Sequence, residues 1–264
     1  MVSTRELVIL SWNILDGGQD RLDKIIDRIR TLNPDVVAIQ EAIDWDDEKL
    51  KLFSKEIKLP YFAVSQPSFN SSGGKSHAVI FSNYLLTDIS KFDGSNHGIV
   101  GATIKTKIGE IRFYSMHLHS KDSSIKLKGL LSVHKDAKRW DNIIIAGDFN
   151  SLTKNDNWLT DGFIGDKGYE VMEKAKILGY QDGFLHLHNF ESSKKLGEAH
   201  TYPSKSYQDR IIKETNQKEP MQRIDYVLVS KSLISRLKSV EVLRNGFSDH
   251  DLICCKVGLG YSNF

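Results

Sequence analysis

The sequence predicts a layered α/β fold that forms a single domain over residues 1–264. Eight short apolar runs have the length and the β-branched content of strands. They are residues 7–11, 36–39, 78–81, 99–104, 111–116, 143–146, 224–229 and 252–257. Several runs are continuously apolar, which indicates strands that are covered on both faces. No Pro-rich or Ser-rich linker divides the chain, so one domain is favoured over two.

Helical patterns lie between some of these runs. Apolar residues at helical spacing predict a helix over 22–32, which Pro34 ends before the second strand. Residues 123–140 and 169–178 are two further helix candidates, and Gly179 suits the C-cap of the second. Strands and helices thus alternate along part of the chain, as a layered α/β fold requires.

Two segments are predicted to be long loops. Residues 66–76 and 191–222 are rich in Ser, Gly, Gln and Lys and show little periodicity. Loops of this length often contact a substrate. His186 and His188, just before the second segment, are expected in a short exposed strand.

The composition limits the kind of protein. The chain has 40% hydrophobic and 27% charged residues, as an ordinary globular protein does. The formal net charge of +2 argues neither for nor against a polyanionic partner. No stretch reaches the roughly 18 apolar residues of a membrane helix, and no signal peptide is recognised. We expect a cytoplasmic protein without a membrane span; a monomer is favoured, although the sequence leaves the oligomeric state open.

The two cysteines, Cys254 and Cys255, are neighbours in an apolar run. Adjacent residues cannot staple distant parts of the chain. We predict that both lie in the core as part of the last strand.

Polar residues collect at the ends of the predicted strands, where side chains share a common rim. They are Asn13, Glu41, His117, His119, Asp148, Asn150, Asp225, Asp249 and His250. Taken singly, an Asp or Asn after a strand is usually a turn former or a helix cap, and a lone His is usually a surface or core residue. Because acid, amide and imidazole groups flank apolar runs across nearly the whole chain, a joint chemical role is favoured.

Oxygen ligands in this set favour a hard divalent cation. Carboxylate and amide oxygens suit Mg²⁺ or Mn²⁺, and Mg²⁺ is typically held by one or two carboxylates with water and substrate phosphate. Glu41, Asp249 and Asn13 meet that need. The spacing of His117 and His119 on a strand would point both imidazoles to one face, so a zinc site stays open as an alternative.

Hydrolysis of a phosphate ester needs more than a metal. It needs a base or an orienting group for water, and cationic or hydrogen-bonding groups for the charge on the phosphoryl oxygens. Asp148, Asn150, His117 and His250 are of the right types. The sequence thus predicts a metal-dependent hydrolase of phosphate esters.

Six short motifs span the chain. They are Ser11-Trp12-Asn13, the block from Pro34 to Glu41, Met116-His117-Leu118, Gly147-Asp148-Phe149-Asn150, Arg223-Ile224-Asp225-Tyr226 and Ser248-Asp249-His250. Together they resemble the endonuclease/exonuclease/phosphatase superfamily, which includes deoxyribonuclease I, exonuclease III and neutral sphingomyelinases. One such motif is weak, but six in the family's order are a specific signal. The resemblance implies a four-layer α/β sandwich like that of deoxyribonuclease I, in which two packed mixed β-sheets are flanked by helices.

The resemblance also implies roles for these residues. Glu41 would be the main Mg²⁺ ligand, with Asn13 and Asp249 nearby. Asp148 would orient or deprotonate the attacking water, and Asn150 would help to hold water or phosphate.

The two histidines would act on the phosphate. His250, oriented by Asp225, would hydrogen-bond the phosphoryl oxygens. His117 would stabilise charge or protonate the leaving group, and which histidine is the general acid stays open.

Two departures disfavour an abasic-site repair enzyme. Exonuclease III-like abasic-site endonucleases carry Tyr where this chain has His117. They usually have a Trp between their equivalents of Thr201 and Asp225, where this chain has Tyr202 and Tyr207. We therefore expect a member outside the abasic-site endonuclease branch.

Two local features refine the resemblance further. Abasic-site endonucleases place an Asp where this chain has Leu15, with Asp16 one step later, so a second metal contact there is in doubt. The block 201–204, Thr-Tyr-Pro-Ser, is similar to the group of bacterial-type members that includes the 5′-tyrosyl-DNA phosphodiesterases.

The partner is expected to be a phosphate ester, with nucleic acid favoured. We assign His119 and Tyr202 to substrate binding, together with Asn13 and Asn150. Residues 121–139 contain six Lys or Arg against two Asp and suit a phosphate backbone, although a solvated helix face explains them slightly better.

A second basic and aromatic surface is predicted in the late loop. It would combine Tyr202 and Tyr207 with the cationic side chains Lys194, Lys195, Lys205 and Arg210. Such a surface suits single-stranded nucleic acid, and the solubility of a flexible loop explains it equally well.

Two other functions are considered. The first is a phosphatase or phosphodiesterase for a small or lipid phosphate. The second is a catalytically inactive relative that serves as a binding module. Such a relative should have lost motif residues, and none of the main ones is missing.

Overall fold

The computed structural model describes residues 6–69, 73–93, 96–153, 168–188, 199–216 and 221–260. Two large mixed β-sheets pack face to face, and helices cover their outer faces. Each of the eight predicted apolar runs corresponds to a strand. The predicted four-layer α/β sandwich is thus confirmed.

Fourteen strands and seven α-helices lie in the described part of the chain. The strands are β1 (Glu6–Asn13), β2 (Val36–Gln40), β3 (Tyr61–Val64), β4 (Ser68–Phe69), β5 (Lys75–Ser76), β6 (Val79–Ser82), β7 (Thr87–Lys91), β8 (Gly98–Thr106), β9 (Gly109–His117), β10 (Ile143–Asp148), β11 (Tyr180–Asp182), β12 (Asp225–Ser230), β13 (Leu237–Leu243) and β14 (Leu252–Gly258). The helices are α1 (Leu22–Leu32), α2 (Asp47–Ile57), α3 (Ser123–Ala137), α4 (Tyr169–Ile177), α5 (Gly183–Leu187), α6 (Lys205–Thr215) and α7 (Lys231–Ile234). A short 3₁₀ helix, Asp16–Arg21, precedes α1.

The two sheets share one construction. The first has the strand order β13-β14-β1-β2-β6-β3, and the second has the order β11-β12-β10-β9-β8-β7. Strands β1 and β2 are parallel, as are β9 and β10, while the other neighbours pair antiparallel. Because parallel strands end at the same edge of a sheet, each sheet brings two carboxyl ends together.

Both faces of each sheet are covered, as the continuous apolar runs predict. Leu7 and Ile9 of β1 lie in the core between the sheets, which they share with Phe113 of the second sheet. Leu10 and Trp12 lie in the layer beneath α1 and α2. The second sheet packs in the same way against α3 and α4.

The three helices predicted from sequence are present as α1, α3 and α4. Helix α3 ends at Ala137 rather than at residue 140. Gly179 follows α4 with a φ of 93°, and its N–H donates to the main-chain O of Lys176 at 3.0 Å. Its left-handed conformation fits the predicted helix end.

The segments predicted as loops contain secondary structure. Residues 66–76 include the β4-β5 hairpin, and residues 191–222 include α6. Ser204 begins α6, since its Oγ accepts the N–H of Tyr207 at 3.4 Å. The polar composition of the segment obscured this start signal. Lys194 and Lys195 lie outside the described residues.

The predicted strand at His186 and His188 is wrong. Oδ1 of Asp182 accepts the N–H of Phe184 at 3.0 Å and that of Leu185 at 3.2 Å. This cap begins α5, which includes His186.

Cys254 and Cys255 are free and buried in β14, as predicted. Across the described ranges, no helix has both the length and the apolar character needed to cross a membrane.

Candidate active site at the sheet edge

Sheet register brings the polar strand ends to one edge of the sandwich. Asn13, the last residue of β1, is in register with the last residue of β2, directly before Glu41. In the second sheet, His117 at the end of β9 pairs with Asp148 at the end of β10. Asp148 also pairs with Asp225, the first residue of the antiparallel strand β12.

The loop before β14 reaches the same edge, because β14 runs antiparallel to β1. Ser248 Oγ donates to the main-chain O of Asn13 at 2.7 Å. Trp12 Nε1 donates to the main-chain O of His250 at 3.1 Å, and Asn245 Nδ2 donates to the same oxygen at 2.8 Å. These bonds hold His250 against the first sheet.

Asp148 is buried at the centre of the site. Its Oδ2 lies 3.1 Å from Asn13 Nδ2, 3.5 Å from His117 Nε2 and 3.7 Å from His250 Nε2. Its Oδ1 accepts the N–H of Asn150 at 2.8 Å. One carboxylate thus contacts groups from both sheets.

His250 lies between two carboxylates. Its Nδ1 is 2.8 Å from Oδ2 of Asp225, whose N–H donates to Thr201 Oγ1 at 3.1 Å. Burial alone would lower the pKa of His250, but the charges of Asp225 and Asp148 outweigh it and raise the pKa well above its ordinary value. The imidazole is therefore a cation at neutral pH.

The surroundings of Asp148 raise its pKa and so favour its protonated form. Burial, together with the charge of Asp225, raises the pKa of Asp148 to about 7, and His250 opposes this shift. A general base is most effective when its pKa lies near the working pH. The environment of Asp148 therefore suits a base that acts on water.

The pKa of His117 is shifted in the opposite direction to that of His250. Burial, followed by the charges of His97 and His250, lowers the pKa of His117 well below its ordinary value. Its Nδ1 has no hydrogen-bond partner among the described residues. His117 is therefore neutral at pH 7, and it can donate a hydrogen bond without carrying a charge.

Glu41 directly follows β2 and interacts with two further carboxylates, those of Asp16 and Asp249. Asn13 Nδ2, which contacts Asp148, also donates to Glu41 Oε1 at 2.9 Å. Glu41 Oε2 accepts the N–H of Asp16 at 3.0 Å. Asn13 therefore bridges the carboxylate of Glu41 and that of Asp148.

The carboxylates around Glu41 repel one another. Burial and the charge of Glu41 raise the pKa of Asp16, with Arg21 opposing. Burial also raises the pKa of Asp249, with Glu41 adding to the shift and His250 opposing it. A divalent cation relieves such repulsion, and oxygen ligands are the type that Mg²⁺ and Mn²⁺ prefer. The residues present therefore fit a hard metal ion.

A second group of metal-type ligands lies deeper in the site. Among the described residues, only Asp148, Asp225 and His250 form a set of three whose ligand atoms lie within 4.8 Å of one another. All three are buried. His250 shares a proton with Asp225 through Nδ1, so this group could hold a metal only by losing that proton.

The zinc alternative required His117 and His119 to act together. Nδ1 of His119 instead accepts the N–H of Lys121 at 3.1 Å and that of Asp122 at 3.0 Å. His119 belongs to no three-residue metal group in the part of the chain that the structure describes. The geometry thus gives the zinc alternative no support.

Two residues of the site have an unusual backbone conformation. Glu41 and Asn150 have φ values of 58° and 47°, in the left-handed region that side chains rarely adopt. Gly147 has a φ of 147°, and a Cβ there would collide with the main-chain O of Met116. The Gly of the Gly-Asp-Phe-Asn motif therefore permits the close approach of β10 to β9.

The other predicted substrate-binding residues border this centre. The ring of Tyr202 lies 5.0 Å from the ring of His250. Asn150 Nδ2 donates to the main-chain O of Leu118 at 3.1 Å. The ring of His119 is separated from that of His117 by the ring of His97.

Two residues of the site escaped the sequence analysis. The ring of His97 lies 4.8 Å from that of His117 and stacks on that of His119 at 5.2 Å. Lys126 of α3 is buried, and its Nζ donates to the main-chain O of Asn150 at 2.6 Å. Neither residue follows a strand, so the strand-end pattern could not mark it.

The rest of the basic segment agrees with a solvated helix face. Its other cationic side chains are exposed, namely Lys121, Lys128, Lys135, Lys138 and Arg139. Lys126 alone among them turns inward and supports the site.

Comparison with known proteins identifies the family and similar folds. The model of the Endonuclease/Exonuclease/phosphatase family matches residues 10–250. No curated protein matches the chain. A similar solved structure is an endonuclease/exonuclease/phosphatase family protein from Leptotrichia buccalis, with 19% identity and a TM-score of 0.67 over 95% of this chain and 99% of that chain.

Two further solved structures are similar. The 3′ phosphatase NExo from Neisseria, bound to a product DNA hairpin, has 16% identity and a TM-score of 0.70 over 95% of this chain and 99% of that chain. An AP endonuclease from Archaeoglobus fulgidus has 18% identity and a TM-score of 0.67 over 94% of this chain and 98% of that chain. At these identities the likeness shows the fold. Because the family match runs from the first strand to His250 and so includes the site from Asn13 onward, the chain belongs to the endonuclease/exonuclease/phosphatase family.

Proposed function

We propose that the protein is a Mg²⁺-dependent phosphodiesterase that acts on nucleic acid. Members of its family hydrolyse phosphate esters. The observation that supports the metal-dependent mechanism is a row of contacting side chains, Asp148, His250 and Asp225. Asn13 links Asp148 to the carboxylate of Glu41. A base, a cation and metal ligands thus meet at one sheet edge, as phosphodiester hydrolysis requires.

In this proposal Asp148 accepts a proton from the attacking water. The water oxygen forms a bond to phosphorus, the bond to the leaving oxygen breaks, and the leaving oxygen takes up a proton. His250, as a cation, hydrogen-bonds the phosphoryl oxygens and can supply that proton. His117 is neutral and donates a hydrogen bond to the developing charge.

The metal is proposed to bind at Glu41 and Asp249. When bound, Mg²⁺ or Mn²⁺ supplies positive charge that stabilises the phosphoryl oxygens. Asn13 holds Glu41 and Asp148 in a fixed relation through its two hydrogen bonds. Asn150, whose main chain is held by Asp148, would help to hold water or phosphate.

Side chains on the rim favour nucleic acid over a small phosphate. The ring of Tyr207 lies 6.4 Å from that of Tyr202, and Arg210 lies 4.8 Å over the ring of Tyr207. Aromatic and guanidinium planes in such a row suit the stacking of bases. Of the three similar structures named above, one is a phosphatase bound to a DNA hairpin and another is an AP endonuclease.

Among the family members that act on nucleic acid, we place the protein outside the branch of abasic-site endonucleases. His117 stands where that branch carries Tyr, and it is a buried neutral imidazole in contact with Asp148. Thr201 and Tyr202 of the block 201–204 contact Asp225 and His250. These contacts place Thr201 and Tyr202 beside the catalytic residues of this proposal, so the substrate of the 5′-tyrosyl-DNA phosphodiesterase group, which this block resembles, belongs in the assay.

The test is a substrate panel assayed with Mg²⁺, Mn²⁺ or EDTA. It contains single- and double-stranded DNA and RNA, a 5′-tyrosyl oligonucleotide, bis-p-nitrophenyl phosphate and phospholipid head-group esters. The variants are Asp148→Asn, Glu41→Gln and the control Glu110→Gln, which is exposed near the opposite end of β9. We expect metal-dependent cleavage of nucleic acid that falls by about 10³-fold in Asp148→Asn and is unchanged in Glu110→Gln.

Three outcomes would contradict the proposal. Turnover of a small or lipid phosphate without cleavage of nucleic acid would replace the substrate class. No turnover with any divalent metal would remove the enzyme assignment and favour a binding module. Undiminished activity in Glu41→Gln would remove the metal from its proposed place.

A further inference from the structure

Three histidine rings form a row that leads away from Asp148. His117 contacts Asp148, and its ring lies 4.8 Å from that of His97 at an angle of 51°. His97 and His119 are nearly parallel, with ring centroids 5.2 Å apart and planes at 13°. Both outer rings are partly exposed. Their edges are therefore accessible to a ligand at the rim of the site.

His119 is held in one tautomer by the main chain. Its Nδ1 accepts the N–H of Lys121 and that of Asp122 at 3.1 Å and 3.0 Å. The main-chain N–H of His119 donates to Asn96 Oδ1 at 3.0 Å. Because Nδ1 acts as an acceptor, the proton of the neutral ring must lie on Nε2.

His97 is held in the other tautomer. Its Nε2 accepts the N–H of Ser120 at 3.1 Å, with Ser120 Oγ 3.5 Å away. The proton of the neutral ring therefore lies on Nδ1. Burial, followed by the charge of His119, lowers the pKa of His97, and Glu41 opposes this shift.

The two rings thus offer donors rather than acceptors to a ligand. A metal ion needs a lone pair on the ring nitrogen, and the main-chain N–H groups already occupy the acceptor nitrogen of each ring. A phosphate oxygen needs N–H donors, and each ring retains one. The pair therefore suits an anion and disfavours a cation.

We propose that His97 and His119 form a second phosphate-binding subsite, which takes a phosphate next to the scissile one in a nucleic acid chain. This inference rests on the proposed function, since Asp148 defines where the scissile phosphate lies. His97 reaches Asp148 only through His117, so the phosphate at the outer pair is a different one. Lys121, whose main-chain N–H contacts His119, is exposed, and Asp122 is engaged as the cap of α3.

The test compares a substrate with neighbouring phosphates and one without. His97→Phe keeps an aromatic ring against His117 and removes the N–H donor. His119→Asn keeps an acceptor near the position of Nδ1 and removes the Nε2 donor. The control is His186→Asn, which lies exposed on α5. The substrates are a short single-stranded oligonucleotide and bis-p-nitrophenyl phosphate, which has a single phosphate.

We expect kcat/KM for the oligonucleotide to fall about tenfold in each of the first two variants, because each loses one charge-assisted hydrogen bond. Turnover of bis-p-nitrophenyl phosphate should fall much less in both variants, because this substrate has no second phosphate for the outer pair, and His186→Asn should match the wild type with both substrates. Equal losses with both substrates would overturn the inference, since the rings would then act only through His117. No loss with the oligonucleotide would overturn it as well.

A binding measurement separates this inference from the proposed function. Fluorescence anisotropy with a labelled oligonucleotide in EDTA measures Kd without any turnover. We expect the Kd to rise about tenfold in His97→Phe and in His119→Asn. If the wild type binds but hydrolyses nothing, the enzymatic proposal fails while the subsite is still tested. Unchanged Kd values in both variants would refute the subsite.

Discussion

Nδ1 of His250 lies 2.8 Å from Oδ2 of Asp225, and both side chains are buried at the edge that the two sheets share. Asp225 occupies this place because β12 pairs antiparallel with β10, which sets it opposite Asp148. The carboxylate orients the ring so that its other nitrogen faces Asp148. The position of one strand end thus determines which edge of His250 faces Asp148.

The replacement Asp225→Asn keeps the size of the side chain and removes its charge. We expect kcat to fall about 100-fold with little change in KM, because the imidazole loses its orientation and its charged partner. Steady-state kinetics on the best substrate of the panel measures this. Asp209→Asn, exposed on α6, is the matched control. A loss confined to KM would mean that Asp225 serves binding alone.

The pKa of Asp249, which burial raises and the charge of Glu41 raises further, leads to a prediction about stability. The raised pKa of Asp249 shows that its charged form is disfavoured in the folded protein without metal. Asp249→Asn should therefore equal or exceed the wild-type Tm in EDTA. With excess Mg²⁺ the order should reverse, because the wild type binds the ion more tightly and gains more stability.

Thermal unfolding with and without Mg²⁺ measures this crossing. Asp47→Asn, exposed on α2, should follow the wild type under both conditions. A variant that is destabilised equally in EDTA and in Mg²⁺ would show that Asp249 has a structural role and does not hold the ion.

The strand ends of this site are predictable because their physics is local. Apolar runs identify β1, β2, β9 and β10, and parallel pairing then places Asn13, Glu41, His117 and Asp148 at common edges. The antiparallel entry of β12 and β14 adds Asp225 and His250. Locating each strand end depends only on residues within one strand and its flanks.

The residues that escaped prediction depend on tertiary contacts. His97 precedes β8 in a polar loop and meets His117 only through pairing of β8 with β9. Lys126 stands in a basic helix, and its partner is a main-chain oxygen, which leaves no mark in the sequence. Helix α6 was obscured because its exposed faces are as polar as a loop. Composition alone could not separate these cases.

Gly147 provides a test of the close approach between β9 and β10. Gly147→Ala should destabilise the protein by about 3 kcal/mol or prevent folding, because the added Cβ meets the main-chain O of Met116. The matched control is Gly109→Ala, where φ is 102° and no heavy atom lies within 4 Å of the added Cβ. Its cost should be about 1 kcal/mol. Urea unfolding measures the free energy of unfolding of both variants. Equal losses in the two variants would contradict the steric argument.

A charged network away from the site gives a prediction for stability and pH. Arg112 is buried, and its Nη2 lies 2.6 Å from Oδ2 of Asp136. Tyr114 Oη donates to the same oxygen at 2.6 Å, and Ser90 Oγ donates to Oδ1 at 2.8 Å. Asp136→Asn should cost roughly 3 kcal/mol in urea unfolding at pH 7, because it leaves the Arg112 charge buried without its partner.

The same network sets the direction of the pH effect. Burial alone would raise the pKa of Asp136, but hydrogen bonds from Tyr114, Ser90 and Arg112 and the charge of Arg112 lower it overall. A carboxyl group whose pKa is lower in the folded state stabilises the protein above its unfolded pKa of about 3.9, and this contribution disappears as pH falls through the folded pKa. The difference in unfolding free energy between the wild type and Asp136→Asn should be constant from pH 7 to about pH 5 and shrink below about pH 4. A difference that stays the same down to pH 3 would show that the cost comes from packing rather than from the ionised carboxylate.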